Sequence, residues 1–376
     1  MKAPNRPLRL LQFNTNFKQG GIQRHILDLT EFLRAKGHHV TLAGAPNVWG
    51  SAEIDSDFVE IPLDQVSAAD SSTLTRLKAA YKCSKVLKTV LKRERIDLIH
   101  SHETAPAIVA RLALRNSKLP TAITYHGSSL DRTQQFARIS RFCADHVISP
   151  SQSTLNDLIR FGVPQERTRV LGLGIQEKPM PSPEKVALIR KELSVGDDDV
   201  LCFSLSRLDY QKGIDIMIEV AKSVLAQQPN VVFAVGGTGP MADEVASWVA
   251  NSGIADRFKL LGPISDVENY LSASDIFLLT SRWEALPISI VEAFRAALPV
   301  IATDCGGVAE LVQDGVGRLC PVGDENALSN AILELARNSE LRQDLAQEAL
   351  ARSKGKRFDP ETVHLAFEKF YQDTIR

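Results

Sequence analysis

The feature that most constrains this chain is a change of period in its second half. Residues 275–280 hold an unbroken apolar run, as a strand buried on both faces of a parallel sheet requires. The chain then turns polar through Ser281-Arg282-Trp283-Glu284-Ala285. Beyond it, Ile288, Val291 and Phe294 recur at helical spacing. Pro287 suits a first helical position, where its missing N–H costs nothing, so the helix is expected to begin there. Free N–H groups at such a start attract an anion, commonly a phosphate. Glu284 in the loop and Glu292 in the helix would repel a phosphate, so they fit hydroxyls, as on a ribose or a sugar ring. One diphosphate and two sets of hydroxyls describe a nucleotide-sugar. A solvated loop charge and a carboxylate on an exposed helix face would give the same spacing.

The same strand–turn–helix alternation runs through the whole chain. Strands are expected near 8–13, 38–44, 58–62, 97–102, 122–127, 146–149 and 168–173. A second series follows near 200–206, 231–235, 259–261, 275–280 and 316–320. Between the series, Gly174 to Pro183 is polar and proline-rich, as a linker is. The expected organisation is α/β throughout: two doubly wound, Rossmann-like domains, 1–176 and 177–357, facing each other across a cleft. A last helix lies near 358–376.

Totals exclude several classes. No apolar run is long enough to span a bilayer, and residues 1–7 lead into a strand, unlike a signal peptide. Cys83, Cys143, Cys202, Cys305 and Cys320 are odd in number and scattered, which fits reduced thiols in a cytoplasmic protein. Charge is unevenly spread: residues 1–176 carry 24 Lys and Arg against 15 Asp and Glu, and the remainder carries 20 against 30. A basic first half implies an anionic partner. The helix expected over 73–95 carries Arg76, Lys78, Lys82, Lys85, Lys88, Lys92, Arg93 and Arg95 against Glu94 alone. Such a helix can lie on an anionic membrane surface, or can simply be solvated above a core-facing stripe. No basic–aromatic motif points to nucleic acid.

Candidate site residues fall at strand carboxyl ends, the ligand edge of an open α/β sheet. Gly20-Gly21 separates the first strand from its helix, which lets backbone N–H groups approach a phosphate or simply makes a tight turn. It is not the dinucleotide fingerprint, so NAD is disfavoured. His100 and His102 share a strand end but lack a third metal ligand nearby. His126 ends the next strand, before Gly127. In the second half, Arg207 and Lys212 share one loop, and the pair suits a diphosphate. Gly237 lies in another glycine turn, and Pro263 and Ile264 close the next strand. Asp197-Asp198-Asp199 sits at a strand's amino end, the wrong edge for a ligand, and reads as a charged turn.

Glu284 through Glu292 resembles the Glu-x7-Glu signature of the retaining glycosyltransferases of the GT4 family, which have the two-domain GT-B fold. Glu292 to Thr303 and Gly306-Gly307-Val308-Ala309-Glu310-Leu311-Val312 are similar to that family too, as are Gly20-Gly21, the strand–His126-Gly127 element and the Arg207/Lys212 loop. The resemblance implies a hexosyltransferase moving sugar from a nucleotide-diphosphate sugar, UDP-linked ahead of GDP-linked, to a glycan or glycolipid acceptor. It places Arg207 and Lys212 on the diphosphate with N–H groups of Leu286, Ile288 and Gly21. Glu292 falls on the ribose, Glu284 and His126 on the donor sugar, and Pro263 and Ile264 beside the base. It implies front-face displacement without a divalent metal, no further cofactor, and a final helix folded back on the first domain. With the basic first half, it also implies work at the inner membrane face, in assembly of a surface polysaccharide. A sugar-nucleotide epimerase and a catalytically inactive binding protein on the same fold are the alternatives.

Overall fold

The computed structural model describes residues 6–17, 20–48, 58–67, 71–115, 117–313 and 315–375. The first five residues of the opening run therefore lie outside the described residues. The chain forms two compact units. One holds the described residues up to Gly174 together with those from Asp359 onward, and the other is Ile175–Phe358.

The first unit is built on a seven-stranded parallel sheet. Its strands are β1 Arg9–Phe17, β2 His39–Val48, β3 Phe58–Glu60, β4 Leu98–Ser101, β5 Thr121–Thr124, β6 His146–Ser149 and β7 Thr168–Val170, in the order β3-β2-β1-β4-β5-β6-β7. The second unit carries a six-stranded parallel sheet. Its strands are β8 Val200–Leu205, β9 Val231–Gly236, β10 Phe258–Gly262, β11 Ile276–Leu279, β12 Val300–Thr303 and β13 Gly317–Cys320, in the order β10-β9-β8-β11-β12-β13. In each sheet the order reverses beside the unit's first strand, between β1 and β4 and between β8 and β11. Ligands bind at such switch points because the loops there diverge and leave a crevice at the strand ends.

The strands are apolar runs because helices cover both faces. All six residues of β9 are buried. Helix Ile214–Leu225 buries Ile214, Ile216, Met217, Ile218, Val220, Ala221 and Val224. Helix Thr73–Glu94 turns Ala79, Ala80, Cys83, Leu87 and Val90 inward, while Lys78, Lys82, Lys85 and Lys88 stay exposed. Helix Pro360–Thr374 returns to the first unit, where Val363, Phe367, Phe370 and Tyr371 pack with Leu8, Leu10, Leu29 and Leu33. Its start is fixed by Asp359, whose side chain accepts from the N–H of Thr362.

The local departures have local causes. Pro287 keeps an extended ψ of 114°, so it caps the helix, which begins one residue later as Ile288–Arg295. The proline-rich run ends in a helix, Pro183–Glu192, because Ser182 caps it and Pro183 suits its first turn. Among the described residues, no helix is long and apolar enough to cross a membrane.

Candidate active site

At the second sheet's switch point, β8 and β11 deliver a buried ion pair. Lys212 Nζ lies 2.5 Å from Glu284 Oε1, with side chains 17% and 7% exposed. Ser281 Oγ donates to the same carboxylate oxygen at 2.7 Å. Two loops are locked together to hold this pair. Thr280 Oγ1 donates to the carbonyls of Lys212 and Gly213 at 3.0 and 2.9 Å. The Gln211 side chain donates to the Trp283 carbonyl at 2.9 Å. Arg282 forms a fork with Asp215 and lies 4.0 Å from the Tyr210 ring centre. Gly213 sits at φ 62°, and a Cβ there would come within 2.3 Å of the Thr280 carbonyl oxygen. Only glycine permits that approach.

Arg207 follows a different path. It is exposed, and its Nε donates to Asp209 Oδ2 at 2.6 Å. Asp209 also accepts from the Lys212 N–H at 3.3 Å, so one carboxylate ties the arginine to the turn that carries the lysine. The next loop supports this one from behind. Leu208 N–H donates to the Thr238 carbonyl at 3.1 Å, and a Cβ on Gly237 would reach the Ser206 carbonyl oxygen at 2.1 Å. Gly237 is thus required by the approach of two loops. Ile264 packs on Gly236, and Pro263 is exposed.

Leu286 and Pro287 are buried, and Ile288 opens the helix. Helix starts leave N–H groups unpaired within the helix. Glu292, one turn further on, is half-buried. Burial raises its pKa, Lys178 and Arg295 oppose the rise, and Glu268 adds to it. The two glutamates therefore have different surroundings: Glu284 is neutralised by Lys212, and Glu292 sits among more distant charges. Asp199 accepts from Gly196 N–H at 2.8 Å and pairs with Arg257 at 3.0 Å, at the amino end of β8. The acidic turn is structural.

In the first unit the strand ends carry histidines. His126 follows β5, and its Nε2 lies 3.4 Å from His102 Nδ1 after β4. The two rings are stacked with centres 5.6 Å apart. His102 continues to Gln12 of β1 at 2.8 Å, and His100 bonds Tyr371 and Thr124 at 2.8 and 2.7 Å. Burial lowers His100 to about 3 and His126 to about 4, and holds His25 and His102 well below the ordinary value. These rings are neutral at pH 7. Among the described residues, no group of three or more His, Cys, Asp or Glu is placed to hold a metal ion.

Gly20 and Gly21 open helix Gly21–Ala35, where Gly20 is extended at φ 176° and a Cβ on it would come within 2.6 Å of the end of the Gln23 side chain. Sequence reasoning missed several partners. Gln12 and Tyr371 belong to buried elements and lack a motif. Ser281 and Asp209 sit inside the quoted loops, where spacing does not reveal which side chain serves another. Glu103, which precedes helix Thr104–Ala113, is half-buried, and burial raises its pKa. The first unit therefore has a carboxylate at its strand-end edge.

Two family models divide the chain between them. The model for Glycosyltransferase Family 4 matches residues 19–178, and that for Glycosyl transferases group 1 matches residues 186–352. A human protein, one component of phosphatidylinositol N-acetylglucosaminyltransferase, is 28% identical over 317 residues, covering 80% of this chain, which spans 62% of that protein's length. An Escherichia coli UDP-Gal:alpha-D-GlcNAc-diphosphoundecaprenol alpha-1,3-galactosyltransferase is 28% identical over 291 residues, 72% of this chain and 75% of its own. Among solved structures, Anabaena Alr3699/HepE in complex with UDP and glucose superposes with a TM-score of 0.81 at 22% identity, over 96% of this chain and 99% of that one. That likeness establishes the fold as that of a GT-B glycosyltransferase. With matching models over both halves and a charged switch point in the second, the chain belongs with the glycosyltransferases of the GT4 type.

Proposed function

We propose that this glycosyltransferase moves a hexose, with retention of anomeric configuration, from a UDP-sugar to a lipid-linked or cell-surface glycan acceptor. The observation that carries the reading is the Lys212–Glu284 pair at the β8/β11 switch point. A bare carboxylate beside a diphosphate would repel it. Here Lys212 cancels that charge, and Glu284 Oε1 is occupied by Lys212 and Ser281. Oε2 is then the oxygen that accepts from sugar hydroxyls. The ammonium keeps two more donors for the diphosphate. Arg207 adds charge from the same loop, and N–H groups of Leu286 and Ile288 add donors. Together they stabilise the charge that develops on the leaving diphosphate. Glu292 accepts from the ribose hydroxyls, with Gly237, Pro263 and Ile264 beside the base. His126 receives the donor sugar. The leaving phosphate takes the acceptor proton in a front-face displacement, and these cations do the work of a divalent metal.

UDP is favoured because the E. coli relative's name specifies UDP-Gal and the Anabaena structure holds UDP. The names of the human and E. coli relatives, a phosphatidylinositol and a diphosphoundecaprenol transferase, support a lipid-linked acceptor. Helix Thr73–Glu94 supports work at the cytoplasmic membrane face. It exposes Leu74, Leu77 and Tyr81 on the line that continues through Lys85 and Lys88, a pattern suited to an anionic lipid surface.

The test is a thermal-shift series with UDP, GDP and ADP, with and without magnesium, on the wild type and Glu292→Ala. UDP at a hundred times its Kd should stabilise by about 2.7 kcal/mol, without magnesium and only in the wild type. A shift with GDP alone moves the donor to a GDP-sugar, and no shift with any nucleotide removes the donor site. NMR of the product's anomeric centre tests retention.

A further inference from the structure

His126, His102 and His100 of the first unit form, with Gln12 and Tyr371, a directed chain of hydrogen bonds whose polarity can be read from the Gln12 amide at its middle. The Gln12 amide nitrogen donates to the Tyr371 hydroxyl at 3.1 Å, so its oxygen faces His102 Nε2 at 2.8 Å. Gln12 and His102 are fully buried, as is Tyr371 on the returning helix, so water does not compete for these groups. A neutral imidazole carries one proton. With an acceptor at Nε2, His102 holds its proton there, and its Nδ1 is bare. His126 Nε2, 3.4 Å from that bare nitrogen, is then the donor. The Tyr371 hydroxyl hydrogen goes on in the same direction, to His100 Nδ1 at 2.8 Å, and His100 Nε2–H goes on to Thr124 Oγ1 at 2.7 Å. Each group in the set has one consistent role. Burial keeps the rings neutral, without which the direction would be lost.

We propose that Gln12, His102 and Tyr371 are positioning residues that fix His126 as its Nε2–H tautomer, so that Nδ1 is the acceptor for a hydroxyl of the donor sugar. The link to the sugar rests on the reading of His126 given above, and the tautomer does not. A ring held the other way would present an N–H to the sugar, and a hydroxyl would have to turn its hydrogen elsewhere. The other ring nitrogen's bond thus decides what an imidazole offers its ligand. The final helix, far along the chain from β1 and β5, has a part in the site through one hydroxyl.

Long-range 1H–15N imidazole spectra of the full chain, with His126 assigned by loss of its signals in His126→Asn, read the tautomer directly. The expected wild-type result is a proton on Nε2 and a bare Nδ1. Gln12→Glu should reverse the chain. A carboxylate cannot donate to Tyr371, and it holds His102 doubly protonated, so His102 Nδ1–H donates to His126 and moves its proton to Nδ1. Donor kcat/KM should then fall about tenfold to a hundredfold, as expected when a hydrogen bond is replaced by a mismatched pair, with the acceptor KM unchanged. Tyr371→Phe, which removes the anchor without adding charge, should give a mixture of tautomers if Gln12→Glu does not fold. A wild-type proton on Nδ1, or an Nε2–H signal unmoved by both variants, overturns the proposal. Spectra that reverse as expected while donor turnover stays constant keep the hydrogen-bond chain but remove His126 from the sugar, and with it that part of the functional reading.

Discussion

The two sheets share one strand order up to the sixth strand, yet the ends of their strands carry opposite chemistry. All eight histidines of the chain fall at or before His146 or at His364, in the first unit, and residues 175–358 contain none. The first unit builds its strand ends mainly from neutral rings linked by hydrogen bonds, with the half-buried Glu103 beside them. The second builds them from Lys212, Glu284, Arg207 and Glu292. The fold supplies a crevice in both cases, and the side chains at the switch point decide what it binds. A neutral network orients uncharged hydroxyls without attracting ions. A charged one, with its carboxylate already neutralised, suits the diphosphate proposed for it.

The largest effect that would sharpen this contrast is expected from Lys212→Ala. Loss of one preorganised charge-stabilising donor lowers kcat by about a hundredfold to a thousandfold. It also leaves Glu284 buried and unpaired, at a cost of about 3 kcal/mol to the second unit. Lys212→Met with Glu284→Gln removes both charges and should recover most of the stability while activity stays low. Paired measurement of urea unfolding and turnover separates the two effects. If Lys212→Ala keeps its turnover, the second unit's switch point is not where the leaving group's charge develops.

The fold was legible in the sequence because a parallel sheet covered on both faces makes its strands continuous apolar runs, and these survive inspection one at a time. β12 was missed, because its apolar run continues without a polar break from the end of helix Ile288–Arg295. The Lys212 and Glu284 loops were legible because both ends of the pair sit in short segments that resemble a known family. The bond between them was not, since Lys212 and Glu284 are far apart in sequence and only the β8/β11 neighbourhood joins them. The helix start slipped by one residue at Pro287, because a proline's fixed φ suits both a cap and a first turn and only its ψ separates them. Gln12 and Tyr371 were hidden for a different reason. A polar residue inside an apolar run is visible, but its partner here is supplied by the last helix, and no local period announces that.

The acid response should divide the two units next. His100, His126 and His364 have folded pKa values lowered to about 3, 4 and 4, and His25 and His102 are lower than ordinary as well. Below about pH 6.5 the unfolded state takes up protons that these rings in the folded state refuse. Their contribution is full above that pH and is lost as pH falls toward the folded values, by about 1.4 kcal/mol per pH unit for each fully titrating ring. Glu103 in the first unit, with a raised pKa, offsets part of this, and in the second unit Glu292 has the same opposite sign. Its raised pKa makes its ionisation unfavourable in the fold, so acid relieves a cost there. Hydrogen exchange by unit, corrected for intrinsic rates, at pH 7 and pH 5 should show protection falling in the first unit and holding in the second. Equal losses in both would mean that the histidines do not set the acid sensitivity.

The smallest expected effect concerns the outside of the first unit, where the contrast between neutral and charged is reversed. Its interior rings are neutral, but helix Thr73–Glu94 exposes lysines along a line that begins with Leu74, Leu77 and Tyr81, which are 62%, 56% and 57% exposed. Lys85 Nζ lies 4.7 Å from the Tyr81 ring centre, so apolar and cationic groups form one patch. If the helix binds an anionic bilayer as proposed, the apolar side chains would enter the interface and the lysines would stay among the headgroups. Each lysine near such a surface contributes about 1 kcal/mol, so Lys85→Gln should weaken binding to phosphatidylglycerol vesicles about fivefold at low salt. Leu77→Ser should weaken it by a similar factor with less dependence on ionic strength, because the lost part is apolar. Salt should reduce wild-type binding steeply. Wild-type protein that stays in the supernatant with phosphatidylglycerol vesicles at low salt would leave this helix as a solvated face, and the acceptor would then have to reach the enzyme by some route other than the bilayer surface beside it.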